Sequence, residues 1–319
     1  MDPLSDILSL LKPTSYGFRG LDASGDWSLA YAADEGIKCF AITSGACWLV
    51  MDHDTAPLRL EAGDFVLLPG GPGFRLCSGP EVSPIDAFAF FPSVPAGEVA
   101  VINGGGACIG VGGYFAFEGM HSEMLLALLP PIVHIADQAD KDGLRLSIER
   151  LMRELRAPRP GSSLMGEHLT QALLIEALRL HLVNQSDSSA GWLFALADQK
   201  MNAVLAAMHA EPARKWTLAS LARVAGMSRS SFAVRFKQTV GEPAMDYLTR
   251  WRMMLAADRL ANQSMPISVV APIVGYESES AFGAAFKRAF GRSPKKYAKG
   301  STETVYDRQS TSRPYPSSA

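Results

Sequence analysis

Apolar residues recur along this chain with two different periods. Up to about residue 115 they come in short solid or alternating runs between Gly- and Pro-rich breaks: Ile37 to Thr43, Ala46 to Met51, Phe65 to Leu68 and Ala87 to Phe91. Runs of that length, bounded by turn residues, predict an antiparallel β domain, either a barrel or a sandwich. From 121 to 185 the spacing changes to three and four. LRLSIERLMRELR from Leu144 and GEHLTQALLIEALRLHLV from Gly166 predict two helices, with APRPGSS (157–163) as the loop between them.

Beyond residue 195 the helical period persists and a pattern is written twice. LASLARVAGMSRSSFAVRFKQTVG runs from Leu218 to Gly241, and ISVVAPIVGYESESAFGAAFKRAFG from Ile267 to Gly291. Gly226 and Gly275 occupy equivalent places, as do Phe232 and Phe282, Phe236 and Phe286, and Lys237 and Lys287. Each copy predicts a helix, a turn and a second helix. Thr217 caps the first helix of the first copy and Ser228 its second helix; Ser268 and Ser278 are the expected caps in the second copy. The paired phenylalanines, one helical turn apart, face the preceding helix and leave the opposite face open. Pro272 is out of pattern, falling about four residues into a helix capped by Ser268; its missing N–H does little harm only if that helix starts late.

The segment from Pro243 to Ala261 lacks glycine and internal proline, and predicts one helix with Met245, Leu248, Trp251, Leu255 and Leu260 at helical spacing. Such a helix spans roughly 28 Å, close to the roughly 34 Å between successive major grooves on one side of a duplex. Charge points the same way. Residues 195–297 hold 15 Lys and Arg against 7 Asp and Glu, whereas residues 1–194 hold 12 against 23. The overall charge of −2 therefore hides a basic carboxyl-terminal region suited to phosphate.

WTLASLARVAGMSRSSFAVRFK from Trp216, GEPAMDYLTRWRM from Gly241 and VGYESESAFGAAFKRAFGRSPKKY from Val274 together resemble the DNA-binding domain of the AraC/XylS family of bacterial transcription regulators. The resemblance implies a sequence-specific DNA-binding regulator with two recognition helices, which Ser228 and Ser278 begin. It directs Ser230, Ala233 and Val234 of the first, and Glu279, Ser280, Gly283 and Ala284 of the second, toward base edges. It makes Arg229, Lys237, Arg250, Arg252, Lys287 and Arg288 phosphate contacts, which set register rather than specificity. Family members often carry Arg where this chain has Val234 and Ala284. Without those two guanine readers, sequence preference is expected to lean more on DNA shape.

In the β region, GDFVLLPGGPGF from Gly63 has the spacing of the second cupin motif, with Gly63, Pro69 and Gly71 in place and Phe74 where the metal-binding His usually stands. GIKCFAITSGACWLV from Gly36, read as a strand pair, lacks the His and Glu of the first motif. The region resembles the cupin-like sensor domain of some AraC-type regulators with its metal site absent, so neither metal nor other cofactor is expected. Phe40, Trp48 and Phe74 are candidates to line an apolar or aromatic effector site. NGGGACIGVGGY from Asn103 reads as turns rather than a phosphate loop, since no helix start follows it. His53, His121, His134, His168, His181 and His209 show no ligand spacing. Cys39, Cys47, Cys77 and Cys108 form no CxxC and read as reduced, buried thiols, with a redox role as the alternative.

The expected fold class is α+β multidomain: a cupin-like β-barrel (jelly roll) over 1–120, a helical dimerisation or linker region over 121–190, and an all-α domain with two helix-turn-helix motifs over 195–297. The Ser-, Thr- and Pro-rich 298–319 reads as a disordered tail. Expected partners are double-stranded DNA, a small-molecule effector, RNA polymerase if the protein activates, and a second copy of the chain through Leu169, Leu173, Leu174, Ala177 and Leu180. No apolar run is long enough for a membrane span and the first residues carry acids where a signal peptide carries bases, so a cytoplasmic location is expected. The competing class is a cupin-type enzyme with an attached nucleic-acid-binding module.

Overall fold

The computed structural model describes residues 2–298 except 11–14, 34–35, 53–55, 92–93, 95–98, 117–125, 127–128, 137, 158, 185–190 and 264. His53, His121 and all of the expected tail but Ala298 lie outside the described residues. The chain forms two compact units, neither continuous in sequence: Pro13–Phe117 with Pro130–Asn184, and Met1–Lys12 with Glu118–Leu129 and Gln185–Ala319.

The first unit is built on strands β1 (Ser15–Ala23), β2 (Ser28–Tyr31), β3 (Ile37–Met51), β4 (Leu58–Glu61), β5 (Phe65–Pro69), β6 (Phe74–Cys77), β7 (Ile85–Asp86), β8 (Val99–Ile102), β9 (Cys108–Ala116) and β10 (Val133–Ile135). The sheet is mixed rather than purely antiparallel, because β1 with β8 and β2 with β7 run parallel at its edges. The two runs read as a strand pair are one strand, β3. It bends at Gly45, whose φ of +74° suits a residue without a side-chain carbon. Before the bend β3 pairs β5 and β9; after it, β4 and β6. A register break between Ile42 and Ser44 accompanies the bend. It shifts the inward-facing set from even to odd positions, so Phe40 and Ile42 share the core with Cys47 and Leu49 while Trp48 turns to the other face.

Two other runs also depart from their expected form. Ala87–Phe90 is a helical turn, α2, rather than a strand, because the Asp86 carboxylate accepts the Phe88 N–H at 2.8 Å and caps it. In NGGGACIGVGGY the turn ends at Gly106, and Gly110, Gly112 and Gly113 lie within β9. A side chain at Gly112 would start 2.9 Å from the Phe40 ring, so this glycine admits the neighbouring strand's aromatic side chain.

Helices α3 (Gln138–Arg156) and α4 (Ser162–Asn184) complete this unit, α4 lying against β5 and β10. Leu173, Leu174 and Ala177, expected at a dimer interface, are buried within the unit. Their stripe has been used to cover the sheet and α3. Among the described residues, the large apolar side chains these helices leave exposed are Leu146, Leu164 and Met165.

The second unit is helical: α1 (Pro3–Leu10), α5 (Trp192–Ala195), α6 (Gln199–Ala210), α7 (Leu218–Val224), α8 (Arg229–Val240), α9 (Ala244–Asn262), α10 (Ile267–Ile273) and α11 (Glu279–Phe290). It starts a few residues before 195, since Trp192 and Leu193 are buried and the Gly191 N–H donates to the Thr239 carbonyl. It also claims α1, which the 1–120 boundary assigned to the β domain. Leu4, Ile7 and Leu10, three residues apart on one face, are buried where α1 packs on α6.

Candidate nucleic-acid interface

The two copies fold alike where the sequence repeats. Gly226 and Gly275 adopt φ of +62° and +85°. In each turn the next N–H bonds back five residues, Met227 to the Ala222 carbonyl and Tyr276 to that of Ala271, both at 2.9 Å. Ser228 accepts the Ser231 N–H and Ser278 the Ala281 N–H, each at 3.2 Å, which starts α8 and α11. Phe232 and Phe236 have ring centroids 5.6 Å apart, as do Phe282 and Phe286, and all four rings are buried. Helix α9 serves both copies. Tyr247 meets Phe236 edge-on, whereas Met253, Ala256, Ala257 and Leu260 join the core around Phe282, Phe286 and Phe290. Its deepest side chains include Tyr247, Met253 and Met254, while Met245 and Leu255 of the expected stripe are only half-buried.

The two copies part at their first helices. Thr217 and Ser220 form a reciprocal capping box on α7, with bonds of 3.1 and 2.9 Å. The expected cap Ser268 is the second residue of α10, whose N-cap is Pro266 and has no side-chain bond. Pro272 is the sixth of that helix's seven residues and exposed, so its missing N–H removes a single bond, to the solvated Ser268 carbonyl.

With the phenylalanines inward, the opposite faces are presented to solvent. Arg229, Ser230, Val234 and Lys237 are exposed on α8, and Glu279, Ser280, Ala284, Lys287 and Arg288 on α11. Val234 is 58% exposed. Ala233 and Gly283 are half-buried at equivalent positions, and a carbon added at Gly283 would meet nothing within 4 Å. Ser228 and Ser278 are exposed, but their hydroxyls are engaged as caps, so they hold the helices rather than reach outward.

Two cations expected on phosphate are occupied inside the unit. The Arg250 guanidinium pairs with Glu242 and lies over the Tyr247 ring. Arg252 donates from Nε to the Pro212 carbonyl at 2.7 Å and from Nη2 to that of Arg214 at 2.9 Å. Burial draws its pKa below the usual arginine value. Its Nη2 would lie 2.8 Å from a side-chain carbon at Gly275, so one guanidinium, bonded to the segment leading into the first copy, packs against the turn of the second. Lys215 with Glu277 makes an ion pair between the same two segments. On the inner side of α8, Arg235 donates to Asp198 at 2.6 Å, and Asp198 also caps α6. No spacing in the sequence marks the partners of Arg252, Lys215 and Arg235, because each lies tens of residues away.

In the β unit, Phe74 stacks on Tyr31 at 4.8 Å and meets Phe40 edge-on at 5.5 Å. The place where a cupin motif carries its His is thus part of an aromatic cluster. Trp48, on the other face of β3, does not join it. Among the described residues no three His, Cys, Asp or Glu side chains are grouped to hold a metal ion, and no helix is long and apolar enough to cross a membrane.

A basic helical unit that presents two equivalent helix faces from one rigid core is a tandem helix-turn-helix DNA-binding domain. The comparisons agree: a helix-turn-helix domain model matches residues 221–300, and a cupin model matches residues 2–183. The chain is 41% identical over 300 residues to an AraC-like transcription regulator of Streptomyces antibioticus, covering 94% of this chain and 99% of that protein. It is 31% identical over 305 residues to the HTH-type transcriptional regulator AlkR of Acinetobacter baylyi, covering 93% and 99% respectively. Fatty-acid-bound ToxT of Vibrio cholerae aligns over 89% of this chain and 94% of its own at 13% identity and a TM-score of 0.35, too slight a likeness to build on. The chain belongs to the AraC-like family of transcription regulators, DNA-binding proteins with a cupin-like amino-terminal region.

Proposed function

We propose that α8 and α11 enter successive major grooves on one side of a duplex. Ser230, Ala233 and Val234 would meet base edges in the first groove, and Glu279, Ser280, Gly283 and Ala284 in the second. The observation that carries this is the equivalent exposure of both faces over identical phenylalanine pairs. Arg229, Lys237, Lys287 and Arg288 take the phosphates, joined by the exposed Arg292, Lys295 and Lys296 beyond α11. Small and hydroxyl side chains at the base edges favour thymine methyls and single hydrogen bonds over bidentate guanine contacts, so preference leans partly on DNA shape.

The β unit is the effector-responsive part. Its aromatic cluster of Tyr31, Phe40 and Phe74 suits an apolar ligand whose binding shifts the population of a DNA-competent state. A second copy pairs through Leu146, Leu164 and Met165, the apolar residues exposed on α3 and α4. Contact with RNA polymerase belongs to the reading only if the protein activates, and the chain works in the cytoplasm. The regulator reading is preferred to a cupin enzyme because its relatives are transcription regulators and Phe74 holds the motif's ligand position.

Selection of bound sequences from a random duplex pool tests the reading face. Ser230→Ala and Glu279→Gln should each change preference at a few adjacent base pairs, in separate halves of the site. Identical selected sequences for wild type and both variants would remove these residues from the reading face.

A further inference from the structure

All four cysteines lie in the β unit and are buried, and they differ in their partners. The Gly113 N–H donates to the Cys39 sulfur, and the Cys77 thiol donates to the Trp48 carbonyl at 3.7 Å. Cys47 and Cys108 interact with each other, which raises the pKa of Cys47 and lowers that of Cys108. Strand pairing brings these two together. Gly45 stands opposite Cys108 across β3 and β9, and Cys47 follows two residues later in the same core cluster. The strands run close here, since a side-chain carbon at Gly45 would lie 3.1 Å from the Cys108 Cα. The pair also sits just beneath an edge. Gly45, Gly106 and Ala107 are exposed, while Cys47 and Cys108 are 2% and 3% exposed.

We propose that Cys47 and Cys108 are a reversible oxidation site, closing to a disulfide when the protein meets a hydroperoxide. The site stands independently of the DNA-binding reading. The interaction divides the roles: together with burial it keeps Cys47 protonated, while it favours the thiolate on Cys108. The Cys108 thiolate attacks one peroxide oxygen, the O–O bond breaks, and sulfenic acid and hydroxide form. The Cys47 sulfur then attacks the Cys108 sulfur. The S–S bond forms as the S–O bond breaks, and the sulfenic hydroxyl leaves as water with the Cys47 proton. Two thiols lose two electrons in all, and one peroxide is reduced to water. Closing the bond brings the sulfurs to about 2.05 Å, pulling on β3 just past its bend at Gly45.

Peptide mapping of the full-length protein tests this. After brief hydrogen peroxide treatment and removal of excess oxidant, the protein is unfolded with an alkylating agent present and digested. The expected product is one pair of peptides linked through Cys47 and Cys108 and released by dithiothreitol, with Cys39 and Cys77 recovered alkylated. Cys77→Ser should keep the link. Cys47→Ser should lose it and leave Cys108 as a sulfenic acid that dimedone traps. Oxidation that reaches Cys39 or Cys77 first, or that produces only links between molecules, overturns the proposal. The wild-type map decides the matter even where a variant fails to fold.

Discussion

The two helix-turn-helix copies share their turns, phenylalanine pairs and exposed faces, yet differ in how their first helices begin. Helix α7 has a reciprocal capping box, whereas α10 starts from Pro266 without a side-chain cap and carries Pro272 near its end. What the copies keep in common is what aims the recognition helix, namely the left-handed glycine turn, the serine cap and two buried rings. What they let vary is the local stability of the supporting helix. In α10 that support comes from packing, through Val270 and Ala271 against Phe282 and Phe286.

The comparison is broken most severely at the rings. Phe236→Ala or Phe286→Ala should each cost about 3–5 kcal/mol of unfolding free energy, read by urea denaturation, because a fully buried ring leaves a cavity. Equal losses in the two copies would support equivalent cores. Arg252→Ala comes next. It leaves the Pro212 and Arg214 carbonyls without their charged donor and should cost about 1.5–3 kcal/mol. It should also weaken binding to a two-box site more than to a single box, because the guanidinium joins the segments that set the spacing of the copies. Arg252→Lys cannot make both bonds in the same fork and should restore little.

The caps sharpen the contrast between the copies. Thr217→Ala should cost about 1 kcal/mol, whereas Ser268→Ala, which removes no cap, should change stability by less than about 0.5 kcal/mol. The smallest effect expected is one of pH. His209 is buried, stacked on Trp251 at 3.9 Å, with Nδ1 3.2 Å from Asp6 and Nε2 2.6 Å from the Tyr247 hydroxyl. The neutral ring, donating from Nδ1 and accepting at Nε2, satisfies both contacts. Burial lowers its pKa and the Asp6 carboxylate opposes that shift in part. The unfolded chain therefore takes up the proton first, so this contribution is complete above about pH 6.5 and shrinks as the pH falls below it. Urea midpoints measured between pH 7.5 and 5.5 should fall with acid, and should fall less in His209→Gln.

The repeat was legible because its signals are local: capping serines, turn glycines and rings four residues apart need no distant information. The β unit was legible as strands but not in register. One break between Ile42 and Ser44 exchanged the faces of β3, which removed Trp48 from the aromatic cluster that Phe40 and Phe74 share with Tyr31. The roles of Arg250 and Arg252 were hidden for another reason. A surface arginine and one that donates to two carbonyls about 40 residues away look the same in sequence. Helix α1 was not legible because an amphipathic helix of about two turns does not say which unit it will cover.

The central claim is that α8 and α11 occupy neighbouring grooves at a spacing fixed by α9 and the Arg252 bridge. Hydroxyl-radical footprinting on a selected site, with and without 5 base pairs inserted between its halves, tests it most directly. Half a helical turn moves the second groove to the far side of the duplex. The insertion should therefore abolish protection of one half and weaken binding by at least about tenfold, roughly 1.4 kcal/mol. Undiminished protection of both halves, or a footprint confined to one half even on the uninterrupted site, would contradict it.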